Sequence, residues 1–544
     1  MMRALGILIG IAAGSTVLSV LAELASMIGS QSSPFYFSGA TLSKRASALR
    51  GVNLGGWLVL EPYITPSLFY AFMYDAPPVI DERSLCARLG AFRAREVLDH
   101  FRERWVTEST FRDIRDAGLN VVRVPFGFWV FGDVPGFCEG VPSIEHLDRA
   151  VDYADRYGLQ LVLDLHSAPP TQNGMDHSGT STRMAGDMHR PPLAQQLGRR
   201  PFDGAAWLRD ENVAVVHSVL QRIGARYGSR RSVVRVGMIN EPMLMNRDWC
   251  GRNCPIDIAA LVRFYEHAWA VLQRVLPERV RPVLDIGLGG NARVWRAARL
   301  PVSLRNGLID IHVYQAWNFD GMRVPQVTHL RNVGCQTAAT IDEVNGATSL
   351  RVVVGEWSLA RTECIMWLNG VGFTPTRPAT CSRVRCPQEY GQLREGVAVP
   401  GGPDADGLCP VGLLPEQGAP PGPFAPNEFY SLLADFSMAS AEGSVGASGW
   451  LFWNFRNEVG DPRWSFFDAR ARGWFPANLS VGAYLPRAPD CAVGDVLGLT
   501  ISTLDSVSEI FMRIALICAA LASIFCCVVR PKAIRSAQKS LMLG

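Results

Sequence analysis

The chain has no phosphate-cradling glycine loop followed by Lys-Ser or Lys-Thr, and no glycine-rich dinucleotide fingerprint. Those absences exclude the usual nucleotide-binding sites and count against a doubly wound sheet, the alternative α/β architecture. Charge of one sign is also scarce in excess. Lys and Arg number 53 against 50 Asp and Glu, a formal net charge of +3. A chain so near neutrality offers no electrostatic footprint for nucleic acid. Cys250 and Cys254 lie four residues apart, but no second pair at zinc-finger spacing accompanies them. No metal site and no cofactor are therefore expected. No internal repeat is visible.

What is present is apolar bulk, concentrated in two ways. With 544 residues, 48% hydrophobic and 19% charged, the chain can bury a large core. Residues 4–22, ALGILIGIAAGSTVLSVLA, follow Arg3 and read as a cleaved secretory signal or an uncleaved anchor, within a leader spanning 1–29. Residues 30–48 are small and polar, a stalk. Ile514–Val529 is unbroken apolar sequence, extendable to Ile510 if Arg513 snorkels, which predicts a transmembrane helix over 510–529 after a linker at 492–509. Arg530, Lys532, Arg535 and Lys539 follow, placing the tail 530–544 in the cytosol. Ten of the 13 cysteines and the sequon at Asn478 lie between the two apolar segments. That distribution predicts an extracellular or lumenal body, 49–491, held at the cell surface or a secretory-pathway membrane.

Within that body, short β-branched runs alternate with helical patterns. The expected strands are Leu49–Leu54, Asn120–Pro125, Gln160–Leu165, Val233–Asn240, Pro282–Ile286, Leu308–Val313, Arg351–Glu356 and Gly449–Phe455. TESTFRDIRDAG and IEHLDRAVDYADRYG read as intervening helices, the second stopped by its glycine. Eight strands separated by helices predict an α/β fold, a parallel (β/α)8 TIM barrel with loop insertions. The Pro- and Gly-rich stretch from Glu395 to Asn427 reads as an irregular loop.

In such a barrel, chemistry gathers at the carboxyl ends of the strands. Here those ends carry Arg123, His166, Asn240 with Glu241, His312 with Tyr314 and Trp317, Glu356, and Trp453. After the first strand, RGVNLGGWLVLEPYITPSLF adds Glu61 and Trp57, the latter either near a sugar site or simply a core tryptophan beyond a Gly55-Gly56 turn. Strands 4 and 7 lie across the barrel mouth from each other, so Glu241 and Glu356 can face one another. Two carboxyl groups about 5 Å apart on either side of a glycosidic bond are the apparatus of a retaining glycosidase. One attacks the anomeric carbon; the other protonates the leaving oxygen and then activates water. Asn240 is placed to meet a sugar 2-hydroxyl, and tryptophan faces suit sugar C–H surfaces.

RGVNLGGWLVLEPYITPSLF, GLNVVRVPFGFWVF, DLHSAPPTQNGMDHSG, NEP, HVYQAW, GEWSLARTECIMWLNGV and GWLFWNF occur in this order. Over about residues 48–491 the chain resembles glycoside hydrolase family 5, and within it the fungal-type exo-β-1,3-glucanases. The resemblance implies Glu241 as acid/base and Glu356 as nucleophile. It implies Glu61, Arg123, His166, Asn240, His312, Tyr314 and Trp453 around the terminal glucose, with Met175, Asp176 and Trp317 also binding substrate. It implies β-1,3-glucan or a related β-glucoside as partner. The sequence departs from the family pattern at Met175, where phenylalanine is usual, at Trp317, at His177 in place of asparagine, and at Phe455 in place of a second tryptophan. The first two occupy the clamp for the next glucose. The insertion at 395–427 and the segment RPPLAQQLGRRP at 190–201 stand to reshape the entrance. The resemblance also suggests disulfides Cys335–Cys491 and Cys364–Cys409. Two other readings stay open: a family 5 β-glucosidase or transglycosylase acting on glucosyl lipid or glucan, and a non-catalytic glucan-binding wall protein.

Overall fold

In the computed structural model the described residues are 48–491, apart from 73–74, 183–201, 246–252, 318–323, 373–380, 387–401, 405, 413–421, 481–482, 485 and 488–490. Eight strands close into one parallel barrel: β1 (Leu49–Asn53), β2 (Val121–Phe126), β3 (Gln160–Leu165), β4 (Val233–Gly237), β5 (Arg281–Asp285), β6 (Leu308–Val313), β7 (Arg351–Trp357) and β10 (Ala447–Phe452). Their order round the barrel is the order along the chain, with β10 pairing both β7 and β1. All eight were expected from the β-branched runs. The fourth is shorter than the sequence suggests, because after Gly237 the chain leaves the ladder.

Side chains pointing inward, Leu49, Val121, Val162, Val283, Leu308, Val353 and Leu451, fill the lower barrel as one apolar cluster. A larger core lies between barrel and helices and includes Ile114, Leu147, Ile223, Leu261 and Phe429. The helix Glu108–Asp116 begins with a reciprocal cap between Thr107 and Thr110, and Ile144–Tyr157 ends at Gly158 with φ +66°. At the seam Leu49 sits opposite Gly449, whose added Cβ would lie 2.0 Å from the Leu49 carbonyl oxygen. Only glycine permits that approach.

The insertion is not wholly irregular. β8 (Ser382–Arg385) and β9 (Leu408–Val411) form an antiparallel pair, and the helix Pro426–Gly443 starts within the stretch expected to be loop. The pairing corrects the expected Cys364–Cys409 bridge. The register sets Val384 opposite Cys409, so the adjacent Cys386 reaches Cys409, while Cys364 bonds Cys381 at the other end of β8. Cys86–Cys138 is a further disulfide, and Cys335 and Cys491 are both disulfide-bonded. Among the described residues no helix is long and apolar enough to cross a membrane. The leader, residues 30–47 of the stalk, the span expected at 510–529, the cytosolic tail and the 190–201 segment lie outside the described residues.

Candidate active site

The first loop is built on two glycines. Gly56 has φ +65°, and a Cβ there would meet Ile64 at 2.5 Å, while one on Gly55 would meet the Trp453 ring at 2.8 Å. The turn sends Trp57 into the core, where its Nε1 donates to the Arg102 carbonyl at 2.9 Å. The core reading of Trp57 is therefore the right one. Beyond it, the Leu60 N–H donates to Glu82 at 2.9 Å, and the Glu82 carboxylate also takes Arg102 at 2.7 Å and Trp129 Nε1 at 2.9 Å. This pinning presents the next residue, Glu61, whose burial pushes its carboxyl well above the usual range.

Glu356 stands in β7. Arg123 Nη1 donates to its Oε1 at 2.8 Å and the Tyr314 hydroxyl to its Oε2 at 2.8 Å. The same guanidinium donates to Asn53 at 2.9 Å and Asn240 at 2.7 Å, and lies 3.1 Å from Asp164. A register shift between Ile311 and His312 sets His312 beside Glu356 on the neighbouring strand. Such bulges re-aim side chains next to active sites.

Glu241 follows β4 with φ +45°, an uncommon backbone for a residue bearing a Cβ. Two amides hold it there: Gln172 Nε2 donates to the Asn240 carbonyl at 2.8 Å and Asn173 Nδ2 to the Glu241 carbonyl at 3.3 Å. The carboxylate meets His312 Nδ1 at 2.7 Å and His177 Nε2 at 3.0 Å. One oxygen each of Glu241 and Glu356 and a ring nitrogen of His312 all lie within 4.8 Å of one another.

Protons in this cluster are distributed by those contacts. Burial alone would raise the Glu241 carboxyl, but the two imidazoles outweigh it and hold it well below the usual range. Burial would likewise lower His177, yet Glu241, Glu61 and Asp176 raise it to about 9. Burial opposes charge on His312 too, but Glu356 and Asp285 raise it well above an ordinary histidine. Both imidazoles therefore favour holding a proton one hydrogen bond from Glu241.

Of the other expected residues, His166, Trp453, Asp176 and Trp317 lie around this network and Met175 does not. His166 Nδ1 bonds Asp164 at 2.8 Å, its Nε2 lies 3.4 Å from Asn240, and its ring stacks on Trp453 at 5.7 Å. Trp453 Nε1 donates to the Tyr63 hydroxyl. Asp176 is half-buried and accepts the His177 N–H at 3.1 Å. Trp317 is 45% exposed, edge-on to Tyr314 at 5.4 Å, with Nε1 donating to Asn369 at 2.8 Å. Met175 packs apart from the network, in an apolar cluster with Phe202 and Met243.

The sequence reading missed the acids beneath. Asp164, Asp285 and Asp310 are buried, and His312 Nε2 stands 3.6 Å from Asp285 and 3.7 Å from Asp310. Burial lifts Asp285 to about 7. A carboxylate set between apolar strand residues, as in QLVLDL, RPVLD and LIDIHV, was the available signal. Gln172 and Asn173 had none beyond their place in the motif.

Comparison with known proteins shows the family to which the chain belongs. The family model "Cellulase (glycosyl hydrolase family 5)" matches residues 91–366. A glucan 1,3-beta-glucosidase of Kluyveromyces lactis is 34% identical over 337 residues, 60% of this chain and 69% of that protein. One of Blumeria graminis is 29% identical over 440 residues, 79% and 87% of the two chains. A probable glucan 1,3-beta-glucosidase A of Neosartorya fischeri is 30% identical over 437 residues, 79% and 88%. Among solved structures, rutinosidase from Aspergillus niger superposes with TM-score 0.54 at 17% identity, covering 79% of this chain and 98% of that one; this likeness concerns the fold.

Proposed function

The chain belongs to glycosyl hydrolase family 5 and is a glycoside hydrolase, and from that premise we propose that it removes terminal glucose from β-1,3-glucan with retention of configuration. The observation that carries the proposal is the short gap between the carboxylates of Glu241 and Glu356. About 5 Å suits direct attack by one carboxylate, whereas inverting enzymes need about 6.5–9.5 Å to seat a water. Glu356 is the nucleophile: Arg123 and Tyr314 each bind one of its oxygens and fix its direction. It attacks C1, the C1–O bond breaks, and the leaving oxygen takes a proton through Glu241. Water then enters, gives a proton back to Glu241, and releases β-glucose.

Glu61 and Asp176 bind the outer hydroxyls of the terminal sugar and close the pocket at one unit, with the Trp453 face beneath it. Names of the relatives support the β-1,3 linkage. The enzyme works outside the cell or in a secretory lumen on wall glucan, tethered by the segment 510–529. The exposed Asn478 of the sequon and the disulfides support that compartment.

Azide rescue tests the assignment. Glu356→Ala with azide should yield α-glucosyl azide and Glu241→Ala the β anomer. The opposite pattern reverses the two roles, and release of α-glucose from laminarin by the unmodified enzyme rules out retention. Protease treatment of sealed microsomes should remove only the short tail; digestion of the barrel would overturn the topology.

A further inference from the structure

Among the described residues, His177 is the unexpected member of the acid/base cluster. It lies in the short turn Asp176–Ser178, far along the chain from β4, yet its Nε2 stands 3.0 Å from Glu241 Oε2. The same nitrogen lies 2.9 Å from Asn173 Nδ2. The Asn173 amide is fixed in orientation, because its Oδ1 accepts the Met175 N–H at 3.0 Å and its Nδ2 also reaches the Glu241 carbonyl. Its N–H group therefore points at Nε2. One ring nitrogen thus faces a donor that wants its lone pair and a carboxylate that wants its proton. It cannot satisfy both at once.

We propose that His177 is the proton partner of Glu241, so that the acid of this site is the Glu241–His177 pair rather than a single carboxylic acid. In the resting pair, Nε2–H donates to the Glu241 carboxylate. As the glycosidic bond breaks, the Nε2 proton passes to Glu241 Oε2 and from Oε2 on to the leaving oxygen, leaving a carboxylate beside a neutral imidazole. The bared lone pair then accepts the Asn173 N–H. When water attacks the glycosyl–Glu356 ester, its proton passes to Glu241 and back to Nε2, so the pair ends each turnover as it began. The inference rests on the assignment of Glu241 as acid/base. His177 acts through Glu241 and is a positioning residue.

The groups facing His177 support a cationic resting state. Glu241, from the end of β4, is the acid held ionised beside it; Glu61 from the first loop and Asp176 from the same turn also face it, their own carboxyls pushed up by burial. His166 is the neighbouring base, its ring centre 5.9 Å away, and burial keeps it below an ordinary histidine, hence neutral. His312 contacts the other Glu241 oxygen and offers a second donor, so removal of His177 weakens the acid without abolishing it.

Two readouts separate this pairing from the underlying catalytic assignment. The first is the His177 imidazole titration, followed by ¹⁵N NMR of the full chain and assigned by its loss in His177→Asn. Its midpoint should lie near 9 and fall by about one unit or more in Glu241→Gln. A midpoint at the ordinary histidine value, or one unmoved by Glu241→Gln, refutes the pairing whether or not the protein cleaves glucosides. The second is the pH profile of kcat/KM. On phenyl β-glucoside, the alkaline limb of His177→Asn should move toward acid by about one unit or more. On 2,4-dinitrophenyl β-glucoside, whose leaving group needs no proton, variant and wild type should share one limb. Equal displacement on both substrates, or on neither, overturns the proton role. Should His177→Asn fail to fold, His177→Gln serves in both measurements. A wild type inactive on both substrates defeats the glucosidase reading and leaves the NMR result to decide the pairing.

Discussion

Replacing Glu82 with glutamine is the sharpest test of how the first loop is held. Glu82 and Arg102 are both fully buried, and the carboxylate accepts from Leu60, Arg102 and Trp129 together. Burial raises its pKa and Arg102 counters, so the pair is an ionic contact maintained against desolvation. Glutamine leaves the guanidinium without its counter-charge and turns one acceptor into a donor facing other donors. Removing one partner of such a pair costs about 3–5 kcal/mol. With a urea m-value of about 3 kcal/mol/M, the midpoint should fall by about 1 M or more. KM should rise as well, because Leu60 is the residue next to Glu61. The double variant Glu82→Gln/Arg102→Met removes both charges and should recover most of the loss. A single variant that costs under about 1 kcal/mol would show that water or another group already screens Arg102. A double variant as unstable as the single would show that packing, not charge, is what Glu82 supplies.

Arg123→Lys should cut kcat by about a hundredfold or more while leaving a folded protein, since one ammonium cannot serve Glu356, Asn53 and Asn240 at once; steady-state kinetics beside a thermal melt reads both. For Asp164, burial raises the pKa, but Arg123 and His166 more than offset it and the folded value is depressed. Its stabilisation is therefore complete above its unfolded pKa of about 3.9 and lost as pH falls through the lower folded value. Asp164→Asn should be less stable at neutral pH and show a flatter acid limb in urea titrations. Non-reducing peptide mapping should recover Cys364 with Cys381 and Cys386 with Cys409, and Cys386→Ala/Cys409→Ala should cost about 3 kcal/mol, as expected for closing a loop of this length.

The barrel was legible because its strands are buried on both faces and therefore read as β-branched runs of about the right length. The polar strand ends were legible for the converse reason: Glu241, His312 and Glu356 stand out against apolar neighbours. Contacts made between loops were not. Whether residue 177 meets residue 241 depends on how Gln172 and Asn173 grip the backbone beyond β4, and no local pattern encodes that. The fourth strand was drawn too long because Met238 and Ile239 are apolar and buried yet lie outside the ladder. The second expected disulfide failed because a short β-pair within a Pro- and Gly-rich insertion left too weak a signature.

The seam between β1 and β10 has a consequence in time as well as in space. Leu49 cannot find Gly449 until nearly the whole body has been synthesised, so seven strands wait with the edge of β1 unpaired. Trp453 and Asn454, which follow the last strand, arrive with closure, and Asn454 bonds the backbone of Gly55. The Trp453 wall of the candidate site and the final pairing of the barrel are thus completed together. A chain cut short before β10 is unclosed and lacks the Trp453 side of the candidate site, and the edge of β1 stays open to wrong pairing until the seam is made.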